Sequence, residues 1–118
     1  VIVGLRPDHT IFEWNLGANR TFGYMREEMI GQDYFQRILP AEYHADLERQ
    51  LQRVLAGEII RNYQTPGIEC NNYVSILLWN MTRVTDASGQ PTGVLAIGQD
   101  LQSQLSATFA DAGFTIRR

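Results

Sequence analysis

The stretch Tyr73–Asp100, YVSILLWNMTRVTDASGQPTGVLAIGQD, limits the possible folds of this chain more than any other part of it. Two apolar runs rich in β-branched and aromatic residues, Tyr73–Thr85 and Thr92–Asp100, flank the turn cluster Asp86-Ala87-Ser88-Gly89-Gln90-Pro91. Gly89 tolerates positive φ, and Pro91 lacks the N–H that a ladder needs, so the pattern predicts one long β-hairpin. Side chains alternate across a strand. Ser75, Leu77, Trp79 and Met81 therefore share one face, and Val74, Ile76, Leu78 and Val84 share the other, with Asn80 and Thr82 between them. Both faces are apolar over much of their length, where a sheet with one wet face would alternate to polar residues. Something is expected to cover each of them.

A chain of 118 residues suits a single domain with a core of its own. Its 44% hydrophobic and 19% charged content is that of an ordinary globular protein. No apolar run is long enough to cross a membrane and no signal peptide opens the sequence, so no membrane contact by this segment is expected. The chain starts without Met, directly in the strand-like Val1-Ile2-Val3, and reads as a piece of a longer protein. The single Cys70 excludes an internal disulfide and a thiolate metal cluster, and suits a reducing cytoplasm. Net charge is −3, and the ten basic residues are all Arg, scattered from Arg6 to Arg118. Nucleic-acid binding would require a basic stripe, and none is visible.

In chain order, Val1–Leu5 and Ile11–Trp14 read as strands around the turn Arg6–Thr10. Asn15 is a good N-cap for a short helix over Leu16–Phe22 that Gly23 ends. Arg26–Met29 reads as one helical turn stopped by Gly31, and Tyr34, Phe35, Ile38 and Leu39 are spaced for another short helix before Pro40. The longest helix is expected over Ala41–Ala56, with Tyr43, Leu47, Leu51, Val54 and Leu55 forming its apolar stripe. Ile59–Ile68 is expected as an edge strand, because it carries Pro66. Beyond Asp100, residues 103–118 read as a linker containing a weakly amphipathic piece, Gln104–Ala110. Two strands, short helices, one longer helix and three strands in series make an α+β domain, with helices on one face of a five-stranded antiparallel sheet.

Enzyme chemistry has little to work with. Two histidines, one cysteine and no metal-ligand spacing leave no nucleophile–base pair, and no glycine-rich loop leads from a strand into a helix to cradle phosphate. His9 falls in a turn and is expected to be solvated.

Several short motifs occur in a fixed order: Asn15, Phe22-Gly23-Tyr24, Glu27-Glu28-Met29-Ile30-Gly31, Leu39-Pro40 and Val54-Leu55-Ala56-Gly57-Glu58. Asp86-Ala87-Ser88-Gly89 and Gly93-Val94-Leu95-Ala96-Ile97-Gly98-Gln99-Asp100 complete the series. The ordered set resembles the PAS domains of cytoplasmic signalling proteins over about residues 1–102. The family usually closes on Asp-Ile-Thr, where this chain has Asp100-Leu101-Gln102.

The resemblance implies strand order 2-1-5-4-3 and a non-catalytic sensory module that relays a signal to an output domain such as a histidine kinase. It places odd positions of the hairpin strand against the helices. The candidate ligand pocket is thus Tyr34, Phe35, His44, Leu47, Leu51, Leu77, Trp79, Met81, Ala96 and Gly98. Within it Trp79 has two readings, either filling the room opposite the small Ala96 and Gly98 as core or stacking on a small apolar or aromatic ligand. No cofactor is expected. Flavin-binding light sensors of the family carry a cysteine where this chain has Tyr34, and amide side chains where it has Leu77 and Gly98. Haem would need His44 as axial ligand, although counting back from Gly57-Glu58 puts that position on Asp46. The outer face Val74, Ile76, Leu78, Leu95 and Ile97 is the candidate homodimer or partner surface, unless a flanking helix or Leu105–Phe109 covers it. Asp100 and Gln102 are the candidate relay. A ligand-free dimerisation and relay module is the competing function.

Overall fold

The computed structural model describes residues 1–101. Its elements are β1 (Ile2–Leu5), β2 (Ile11–Trp14), α1 (Leu16–Phe22), α2 (Arg26–Met29), α3 (Tyr34–Arg37), a 3-10 turn (Ala41–Tyr43), α4 (His44–Leu55), β3 (Ile60–Ile68), β4 (Val74–Thr85) and β5 (Pro91–Asp100). The strands form one antiparallel sheet in the order β2-β1-β5-β4-β3, as the family resemblance implied. Gln102, the linker residues 103–118, and within them Gln104–Ala110 and Leu105–Phe109, lie outside the described residues.

Local chemistry sets most of the boundaries. The side-chain oxygen of Asn15 accepts from the Ala18 N–H at 2.9 Å, capping α1, and from the Ile2 N–H at 2.9 Å, tying that cap to β1. Gly23, at φ 83°, closes α1 in the left-handed conformation that an L side chain resists. The longest helix departs from expectation at its start, because Ala41–Tyr43 is 3-10 and regular α-helix begins only at His44. Pro40 is extended, and the Tyr43 N–H donates to its carbonyl at 3.0 Å, a three-residue closure that tightens this first turn. Leu47, Leu51 and Val54 then bury the expected stripe against the sheet. Pro91 is not excluded from β5 but opens it, at the position where its missing donor costs nothing. Pro66 lies on β3, an edge of the sheet, as expected.

The core fills the space between the helices and the inner face of the sheet. Ser75, Leu77, Trp79 and Met81 of β4 all face it and are buried. His9 is not simply solvated. Its backbone sits at φ 77°, its ring stacks on Phe35 with centroids 3.7 Å apart and planes 3° from parallel, and its Nε2 pairs with the Glu48 carboxylate of α4. Burial would raise the Glu48 carboxyl, yet hydrogen bonds from Gln52 and His9 and the electrostatic attraction of His9 hold it below its ordinary value. The turn between β1 and β2 is thereby clamped to α4.

The outer face differs from expectation in its register. Leu95 and Ile97 lie opposite Thr82 and Asn80 of β4, while Leu78 lies opposite Gln99. Val74, Ile76 and Leu78 instead face Ile68, Pro66 and Gln64 of β3, and Ile97 faces Ile2 of β1. One continuous apolar patch is thus replaced by two, which approach only along the Leu78–Ile97 diagonal, a separation that long side chains can still span. Ile97 and Val74 are 49% and 42% exposed, and Leu95, Ile76 and Leu78 are half-buried.

Candidate functional site

Three strands and two helices bring side chains to one point inside the fold. The inner-face alternation of β1 offers Val3 and Leu5, that of β5 offers Val94 and Ala96, and that of β4 offers Trp79 and Met81. One turn of α4 places Leu47 and Leu51 above them. Tyr34, the first residue of α3, completes the lining. Its position is fixed from two sides. Its own N–H donates to the His9 carbonyl at 3.0 Å, and the Asp33 carboxylate caps α3 through the Phe35 N–H at 2.8 Å.

These nine residues line a partly open cavity of about 20 Å³, enough for roughly one water molecule. Its lining carries hardly any polar surface, and the Tyr34 hydroxyl is its only side-chain oxygen or nitrogen apart from the indole N–H of Trp79. That N–H is already satisfied, donating to Thr65 Oγ1 at 3.0 Å in a buried hydrogen bond. The Tyr34 side chain is also buried, at 3% exposure, but its hydroxyl has no hydrogen-bond partner among the described residues. Burial, with a smaller contribution from nearby Tyr63, pushes this phenol well above its ordinary range, so it stays protonated at neutral pH.

Six of the expected pocket residues line the cavity: Tyr34, Leu47, Leu51, Trp79, Met81 and Ala96. The other four lie elsewhere, each for a definite reason. Leu77 is buried on the same face but one pleat nearer the β3–β4 turn, opposite Thr65. Gly98 does not leave room opposite the indole; the indole lies against it, so closely that an added Cβ would meet Trp79 ring carbons at 2.7 Å. Phe35 packs between His9 and His44, its centroid 5.3 Å from the His44 ring. His44 itself donates from Nε2 to the Leu39 carbonyl at 2.9 Å and does not border the cavity. Asp46, the alternative axial position, accepts a hydrogen bond from the Tyr63 hydroxyl at 2.5 Å.

Val3, Leu5, Val94 and Thr65 were missed. The first three could have been found by extending the two-residue alternation of Ala96 and of the opening strand inward. Thr65 gave no such signal, since a threonine beside Pro66 on an edge strand reads as exposed. Asp100 ends β5 opposite Leu77, half-buried. Among the described residues no three His, Cys, Asp or Glu side chains converge as a metal site, and no helix is long and apolar enough to cross a membrane.

Among curated proteins none matches this chain. Solved structures are more informative about the fold. The PAS-B domain of Cycle from Drosophila melanogaster, with bound ethylene glycol, superposes with a TM-score of 0.73 at 13% identity, over 84% of this chain and 97% of that one. The PAS domain of the quorum-sensing receptor RpfR from Cronobacter turicensis, in complex with BDSF, gives 0.72 at 18% identity, over 86% and 92%. The PAS domain of an HTR-like protein from Haloarcula marismortui gives 0.68 at 24% identity, over 84% and 78%. The family model described as the PAS fold matches residues 1–101, and with the strand order and the helix-covered sheet this establishes that the chain belongs to the PAS family of sensory domains.

Proposed function

We infer that this chain is the sensory input of a larger cytoplasmic signalling protein, binding a small apolar or aromatic molecule between α4 and the inner face of the sheet. The observation that carries this reading is the apolar cavity bordered by Trp79, Met81, Leu47 and Leu51, with a single unsatisfied side-chain polar group, the Tyr34 hydroxyl, among its lining residues. Two of the structurally similar domains, from Cycle and RpfR, hold a small molecule. Met81 has three rotatable bonds and can make way for a ligand larger than the resting cavity. Ligand entry would then shift α4 against β4 and β5. The shift would leave the domain past Asp100 and Gln102 to an output domain in the same polypeptide, a histidine kinase in the first instance. Such a signal requires that the ligand bind one packing arrangement better than the other. The excised domain would have no catalysis of its own, and the outer face of the sheet would pair it with a second copy.

The competing reading, a ligand-free dimerisation and relay module, is favoured by the small size of the resting cavity. Haem through His44 draws no support from a ring committed to the Leu39 carbonyl, and flavin draws none from Tyr34, Leu77 and Gly98. Native mass and the absorbance spectrum of freshly purified protein separate these readings. A co-purifying small mass, or a rise in melting temperature with small aromatics, is the outcome expected. A bare polypeptide mass, with no aromatic changing the melting temperature, would favour the relay module, and a Soret band would restore haem.

A further inference from the structure

A buried hydroxyl without a partner is costly, and a folded domain rarely keeps one at no benefit. Tyr34 keeps one while lining a cavity whose other side chains offer only carbon, the Met81 sulfur and an indole N–H already bonded to Thr65. Phenylalanine would fill the same volume and leave nothing unsatisfied. No carboxylate, ammonium, guanidinium or imidazole borders the space: His9, His44, Asp46 and Glu48 are each committed to partners away from it. A ligand bearing a full charge would therefore be stripped of water without gaining a counter-charge. A wholly apolar ligand would leave the Tyr34 hydroxyl as it stands. A neutral ligand with one accepting oxygen or nitrogen beside an apolar body satisfies both constraints. Resting on the reading of this cavity as a ligand site, we propose that Tyr34 is its polar anchor, donating a hydrogen bond to the single acceptor of an uncharged, compact, otherwise apolar ligand such as a small ketone or a nitrogen heteroaromatic.

Benzene and pyridine give the test, because they share shape and differ by one acceptor nitrogen, and pyridine is neutral at pH 7.5. Binding of each to wild type and to Tyr34→Phe is measured by NMR titration of the whole chain. The ratio of pyridine to benzene affinity should fall about three- to tenfold in the variant, while benzene binds both proteins alike. Taking the ratio cancels the different hydration of the two probes. Benzoate should bind wild type more weakly than either. The ligand-free variant should melt at the same temperature as wild type or higher, since it loses an unsatisfied group. An unchanged ratio, with benzene still bound, would overturn the role of Tyr34 and leave the cavity reading standing. Failure of both neutral probes to bind wild type would overturn the cavity reading, and this proposal with it. A variant melting more than about 4 °C lower would show the hydroxyl to be structural, overturning the proposal by another route.

Discussion

Trp79 contributes to this domain through three contacts of different kinds. Its indole lies close against Gly98, its N–H donates to the buried Thr65 hydroxyl, and its side chain lines the cavity. At 4% exposure it is core, although a ligand could still reach it from the cavity side. Trp79→Ala should cost about 3–5 kcal/mol in chemical denaturation, because it leaves a large void and an orphaned hydroxyl. A loss below about 2 kcal/mol would mean that the indole borders open space instead. Gly98→Ala tests the same contact from the other side. The new methyl cannot fit at 2.7 Å from the ring, so the indole must move and stability should fall by about 1–3 kcal/mol. Unchanged stability in this variant would show that the ring can shift freely into the cavity.

Between elements, α4 is held to its neighbours by polar contacts at the rim as well as by its apolar stripe. His9 and Glu48 clamp it to the β1–β2 turn, and Tyr63 of β3 donates to Asp46. The hydrogen bond from Tyr63, assisted by Arg49 against a small cost of burial, holds the Asp46 carboxyl below its ordinary value of 3.8. Burial and the Asp46 carboxylate push the Tyr63 phenol upward in turn. A carboxyl with a depressed folded pKa contributes stability above its unfolded value and loses it as pH falls through the folded one. Tyr63→Phe should accordingly destabilise the domain by about 1 kcal/mol near pH 7. The difference from wild type should shrink as pH falls below 3.8 and through the lower folded pKa of Asp46. Urea unfolding at several pH values checks this, and a difference independent of pH would show that packing, not the hydrogen bond, was lost. Because α4 roofs the cavity, these rim contacts would limit how far it moves if a ligand enters as proposed.

For the whole molecule, the outer face of the sheet is the proposed surface of association. The apolar patches of β1/β5 and β4/β3 are parted by Asn80, Thr82 and Gln99, and Leu78 and Ile97 stand where they approach. Val74 and Ile97 are the exposed members of these patches, and Ile76, Leu78 and Leu95 are half-buried. If a second copy covers them, Leu78→Arg should convert a dimer to a monomer with the circular dichroism spectrum unchanged, since the side chain points away from the core. Light scattering decides the matter, and a wild-type chain that is monomeric at high concentration would remove self-association from the proposed function.

The alternation along Tyr73–Asp100, the caps at Asn15 and Gly23 and the stripe of α4 were legible in the sequence, because each is set by neighbours a few residues apart. Period and capping chemistry are local, and they sorted β4 residue by residue into two faces, of which the family resemblance marked the inner one. The PAS order of motifs then supplied the strand order, which no periodicity contains. What remained for the tertiary structure was everything that depends on register and on the approach of distant side chains. Pairing Ile97 with Asn80 rather than with an apolar neighbour split the outer patch, and a shift of one pleat took Leu77 out of the cavity. His44 turned to the Leu39 carbonyl because regular helix starts one turn later than the sequence suggests, and His9 found Phe35 and Glu48 only once α3 and α4 were packed. Which buried hydroxyl would be satisfied, that of Thr65, and which would not, that of Tyr34, is set by ångström-scale distances between β3, β4 and α3. A hydrogen bond fails within an ångström of misplacement, and one-dimensional spacing carries no information at that precision.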